Sequence, residues 1–230
     1  MAGAGSSFAI GRVFAGWGWL LNRDISRILP FLSIWVAVQF GLFVIDHMLG
    51  FTAGLGLLST TFLVEPFFLG VLYLMALQDD KLGVSTATSV VLARYLGLLG
   101  VYLLTQIGIT VGLLMLILPG LALIVLWAVA LPVFLSERKS PTDAIRGSFD
   151  YVRPHFWQVL GVFVVYFLGL VFLYFAIAVL GLTSEDGAPS LNLLVDAVIE
   201  VVLATLGVYL GAAVYRELAF SGRHDVGAFD

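Results

Sequence analysis

Cysteine is absent from all 230 residues, which excludes a disulfide framework, a thiolate nucleophile and any cysteine-based metal site. Charge is nearly as scarce. Asp, Glu, Lys and Arg make up 11% of the chain, where a soluble domain carries roughly 25%. Apolar residues fill the space instead, at 61% against roughly 45–50% in a soluble domain. No single aqueous core takes up that much apolar surface, so the composition predicts an integral membrane protein. The net charge of −4 says little, because the side of the membrane on which each charge lies matters more. No nucleic-acid partner and no cofactor are expected. Only Arg12 precedes the apolar stretch in the first 20 residues, and no convincing small-residue cleavage site follows; a removable signal peptide is not expected.

A spanning helix needs about 20 mostly apolar residues. Six stretches qualify, near 27–48, 53–78, 95–117, 119–136, 157–182 and 191–214. The expected fold is all-α: a single membrane domain over 1–230, six spans and short interfacial helices. Pro119 and Gly120 in LPG (118–120) read as a tight turn joining the third and fourth spans. All 11 Lys and Arg residues fall in the two terminal segments and in the connections after the second and fourth spans. The other three connections have none, and SEDGAPS (184–190) is acidic. The positive-inside rule then places both termini in the cytoplasm.

The basic segments hold amphipathic stretches. In SPTDAIRGSFDYVR (140–153), Ser140 suits an N-cap, Pro141 the first helical position, and Asp143 a capping-box-like start. Ala144, Ile145, Ser148, Phe149 and Val152 share one face of a short interfacial helix. A second is expected over 7–22 and a third over 85–94, while 218–230 reads as a mobile tail. Each helix precedes an outward and a returning span, so a threefold repeat of helix-hairpin units (7–78, 83–136, 140–217) is one reading; chance similarity between apolar helices is the other.

Depth along each span follows from the rise of about 1.5 Å per residue. Counted from 191, Asp196 lies about 8 Å deep and Glu200 about 14 Å, close to the middle of a core of roughly 30 Å. Glu65 in the second span, Gln39 in the first and Gln106 in the third reach a similar level. Lipid-facing carboxylates there would cost at least roughly 2.5–3.5 kcal/mol, so these groups are expected inside the bundle. With no cation at that level, Glu65 and Glu200 are expected as neutral acids donating to Gln carbonyls in two Glu–Gln pairs. Pro66 should disturb the helix beside Glu65 and free carbonyls to line a site. The functional reading is a proton or cation pathway using Glu65, Glu200, Asp196, Gln39 and Gln106; the structural reading is a hydrogen-bonded packing cluster.

Asp46 and His47 read as interfacial polarity, as does His155, with His224 in the tail; no metal site is expected. Gly108–Gly112 and Gly207–Gly211 have GxxxG spacing, which permits close helix contact within one chain or between copies. No nucleophile elbow, HExxH or phosphate-binding glycine loop occurs, so an enzyme is not expected.

The run 118–161 carries the LPG turn, Glu137 closing a span, Ala144 and Ser148 in Ala-x-x-x-Ser, and Trp157 opening the next span. It resembles the membrane domain attached to some bacterial glycerophosphoryl diester phosphodiesterases. The resemblance implies a bacterial inner-membrane protein tied to lipid metabolism, but no phosphodiesterase activity, since no soluble catalytic domain is present in the sequence. Glu137 is expected to pair with Arg138, Arg146 or Arg153. The readings carried forward are a small transporter or ion-handling protein, a non-transporting scaffold or accessory protein, and an intramembrane enzyme. Expected partners are the bilayer, with anionic headgroups or a cytoplasmic protein at the basic segments.

Overall fold

Between Leu21 and Leu29 there is neither glycine nor proline, and Pro30 is accommodated inside the helix, so a helix begun at the membrane surface continues into the first span. The computed structural model describes residues 8–48, 63–78, 82–179 and 189–226, and in it α1 runs unbroken from Ile10 to Met48. The separate interfacial helix expected over 7–22 is therefore the first part of α1. Its 39 residues reach roughly 58 Å, about twice the hydrocarbon thickness. Leu20, Asp24, Ile28, Phe31, Trp35 and Gln39, spaced by three or four, form its buried stripe.

Six of the seven prolines fall in the first turn of a helix, where the missing N–H has no intrahelical acceptor to lose. Pro66 opens α2 (Glu65–Leu77), Pro119 lies early in α5 (Ile117–Leu126) and Pro132 early in α6 (Ala130–Glu137). Pro141 opens α7 (Pro141–Val152), Pro154 lies in the 3-10 turn Arg153–His155, and Pro189 opens α9 (Pro189–Val226). The remaining helices are α3 (Val84–Ala93), α4 (Tyr95–Met115) and α8 (Phe156–Val179). Among the described residues there is no strand.

Three expectations are corrected. The turn between the third and fourth spans lies at Leu116, whose backbone is extended, and not at Pro119–Gly120, which sit inside α5. The fourth span is two helices, because the Pro132 ring cannot coexist with a continuous turn through residue 128. The segment expected as a tail from 218 is helical through Val226; 227–230 lie outside the described residues.

Five described stretches are long and apolar enough to cross a membrane: Ile10–Ile45, Tyr95–Met115, Ile117–Glu137, Pro141–Leu173 and Leu191–Ala219. The sixth, expected over 53–78, is represented by α2, with 53–62 outside the described residues. The chain is a multi-pass helical membrane protein.

α2 is buried on nearly every side from Pro66 to Ala76, as is α9 from Val208 to Tyr215, which marks them as the centre of the bundle. Gly211 faces the Tyr73 hydroxyl and Gly207 the Tyr166 hydroxyl, while Gly108 faces the Trp127 ring and Gly112 faces Gly120 and Leu123. Both GxxxG faces are thus occupied within the chain. α8 turns Phe167, Leu168, Phe172 and Phe175 outward, as a lipid-facing helix requires.

α1 runs antiparallel to α9. Glu217 Oε1 accepts from Arg12 Nε at 2.8 Å and from the Ala9 N–H at 3.2 Å, holding an anion at the start of α1. At the same basic end of the bundle, arginines meet the last carbonyls of neighbouring helices. Arg216 donates to Leu77 O at 3.2 Å, and Arg94 donates to Phe134 O at 3.3 Å. These carbonyls have no intrahelical donor left, so the caps join the helices' basic ends.

Candidate functional site

Four helices bring polar side chains together in the half of the bundle remote from its basic end. Gln39 on α1 is buried, and its Nε2 donates to Glu200 Oε2 on α9 at 3.1 Å. Tyr102 on α4, also buried, donates its hydroxyl proton to Glu65 Oε2, the first residue of α2, at 2.6 Å. Gln106, one turn further along α4, lies within hydrogen-bonding reach of the Tyr102 hydroxyl. Glu65 and Glu200 also lie within electrostatic reach of each other. Of the residues expected here, Gln39, Glu65, Gln106 and Glu200 are brought together. Asp196 is exposed on α9, one turn from Glu200 and outside the hydrogen-bonded cluster among the described residues.

The pairing differs from the expected one in two ways. Glu200 accepts from the Gln39 amide where it was expected to donate, and Glu65 meets Tyr102 where a glutamine was expected. Tyr102 was missed, although its position four residues before Gln106 puts both on one face of α4. A turn at Val64 separates helical Leu63 from the start of α2, whose first turn holds Pro66, and Leu63 O, three residues before Pro66, accepts the Tyr95 hydroxyl.

Nearer the basic end, a second buried polar centre escaped sequence reading. Arg23 holds Asp24 in two bonds of 2.8 and 2.7 Å, and also donates to Met75 O at 2.9 Å. Tyr209 of α9 donates to the same carboxylate at 3.2 Å. Here a cation compensates the buried acid. In the first cluster, among the described residues, the acids meet only a phenol and an amide.

The break between α5 and α6 is filled from α7. Ser148 Oγ donates to Leu126 O at 2.8 Å and accepts from Val129 N at 3.3 Å, linking the two ends of the interrupted span. Ala144, one turn earlier, is fully buried on the same face of α7. Ser140 caps the helix by accepting from Asp143 N at 3.2 Å, as its sequence predicts.

Residues 98–215, just over half of the chain, match the family model described as the membrane domain of glycerophosphoryl diester phosphodiesterase. The chain belongs to this family. No curated protein and no solved structure matches the chain. The matched residues of the phosphodiesterase membrane-domain family include α5, α6 and α7 with their Ser148 bridge, together with Tyr102, Gln106, Asp196 and Glu200; Gln39 and Glu65 lie outside them.

Other residues of the family stretch shape the basic end. Glu137 pairs with Lys139 at 2.7 Å and accepts the Tyr215 hydroxyl at 3.0 Å, in place of the expected Arg138, Arg146 or Arg153. Arg138 takes a left-handed conformation, φ 53°, and the reversal carries Lys139 back onto Glu137. The hydrogen bond to Glu137 raises the Lys139 pKa above its ordinary value. Trp157 is 76% exposed at the start of α8, where an interfacial anchor belongs. His47 is exposed, and the Asp46 side chain lies outside the described residues. Among the described residues no group of three His, Asp or Glu side chains is arranged to hold a metal.

Proposed function

We propose that the chain is a small proton-handling protein of the bacterial inner membrane, with both termini in the cytoplasm and the site formed by Glu65, Glu200, Gln39, Tyr102 and Gln106. The observation that carries this reading is that the two acids come from different helices and, among the described residues, are hydrogen-bonded only to neutral groups. An acid held by a phenol or an amide changes its protonation without breaking an ion pair, whereas Asp24 cannot. Asp196, exposed one turn from Glu200, supplies an intermediate station towards the end at which α9 begins.

The test is infrared spectroscopy of the protein in lipid. Protonated carboxyl bands should shift on transfer to deuterated water and respond to pH, and Glu65→Gln and Glu200→Gln should each remove one. Carboxyl bands unmoved by either variant would refute the assignment.

A second reading, a non-transporting accessory protein bound to anionic headgroups, has its own support. A groove of about 360 Å³ between α1 and α9 is lined by Arg12, Trp19, Arg216 and Glu217 at the basic end. Headgroup binding there should weaken with added salt, because that attraction is screened.

A further inference from the structure

The two buried polar centres are separated by an apolar layer. On α1, Gln39 and Asp24 lie 15 residues, or about 22 Å, apart. Between them the inward positions are Trp35, Phe31 and Ile28, at 1%, 6% and 0% exposure. Phe68 on α2, one turn from Glu65, stacks flat on Trp35 with ring centroids 5.0 Å apart and planes 3° from parallel. Phe31, one turn earlier on α1, tilts against Phe68 with ring centroids 5.2 Å apart. The stack thus lies one turn on the basic-end side of both Gln39 and Glu65.

Trp35 is also the one residue of this layer with a polar atom to satisfy. Its indole Nε1 is buried and has no hydrogen-bond partner among the described residues. A buried N–H held without an acceptor is costly, so the resting rotamer keeps the ring on Phe68 at the expense of its donor. A rotation that carries the N–H to an acceptor would satisfy the donor and open the stack.

We propose that Trp35, seated on Phe68, is the gate that, while closed, confines the carboxyl cluster to exchange with the end of the bundle remote from the basic residues, so that proton movement across the membrane requires the stack to open. This inference rests on the reading of the cluster as a proton site and adds its sidedness. An apolar constriction of stacked rings excludes water, which is how such layers close a pathway.

The absence of native cysteine makes a single introduced thiol an unambiguous reporter. Gln106→Cys places one in the cluster, and a charged, membrane-impermeant thiosulfonate is applied to each face of oriented proteoliposomes in turn. Gln106→Cys alone should be labelled only from the face remote from the basic end. Adding Trp35→Ala or Phe68→Leu should bring labelling from the basic face as well. Trp35→Phe, which keeps a ring on Phe68, should leave labelling one-sided. Phe68→Leu keeps an apolar side chain in place and carries the test if Trp35→Ala does not fold. If folded opening variants are still labelled from the remote face alone, the gate is overturned and the proton site stands. Labelling of Gln106→Cys alone from the basic face also overturns the gate. If Gln106→Cys is labelled from neither face, the cluster is dry and the proton-site reading fails along with the gate.

Discussion

Replacing Ser148 with alanine should expose what holds the interrupted span together. The hydroxyl donates to Leu126 O and accepts from Val129 N, and the residue is fully buried, so water does not readily take its place. Each buried backbone group left without a partner costs about 1–3 kcal/mol. The Val129 contact, at 3.3 Å, is the weaker of the two. The expected loss is therefore about 2–4 kcal/mol, measured as unfolding in detergent. Threonine restores the hydroxyl but adds a methyl group to a filled site, which costs about 1–3 kcal/mol, so it should fall between wild type and alanine. Hydrogen exchange at the Val129 amide should accelerate in the alanine variant more than at amides in α4. A Ser148→Ala protein within about 0.5 kcal/mol of wild type, the range of an inconsequential substitution, would refute this account of the break.

Gly108→Ala should destabilise by about 1–3 kcal/mol, because a Cβ there meets the Trp127 ring, and thermal unfolding would show it. Tyr102→Phe should cost about 1 kcal/mol and shift the infrared band assigned to Glu65, leaving the Glu200 band in place. Lys139→Met should lower the melting temperature slightly at neutral pH, slightly because the Lys139 side chain is 38% exposed. Since its folded pKa is raised above the ordinary 10.5, the stabilisation is complete below that pH and disappears as pH climbs through the folded value, so wild-type and variant melting curves should converge there. A gap that persists at the highest pH would show that the contribution is packing and not charge.

Depth was legible in the sequence because it is a linear count along each helix, and that count brought Gln39, Glu65, Gln106 and Glu200 to one level. Which partner each acid meets depends on rotation about the helix axes, so Tyr102 took the place expected for a glutamine at Glu65. The division of the fourth span had a visible signal in Pro132, but hydropathy averages over a single residue and a long apolar run hides it. Once Pro66, Pro119, Pro132, Pro141, Pro154 and Pro189 are seen as helix starts, six of the ten helical segments among the described residues have their beginnings marked by proline. The Arg23–Asp24–Tyr209 centre was illegible for the opposite reason. Adjacent Arg and Asp near a basic end look like solvated surface, and only the packing of α2 and α9 against α1 buries them.

The most direct test of the proton-handling claim is a flux assay in liposomes holding a pH-sensitive dye, with a potassium diffusion potential as the driving force. Wild type and the Glu65→Gln/Glu200→Gln double variant are compared after circular dichroism has shown both to be folded. The account predicts potential-driven proton movement in wild type and its loss in the double variant. Equal movement in both proteins, or none in either, would contradict it.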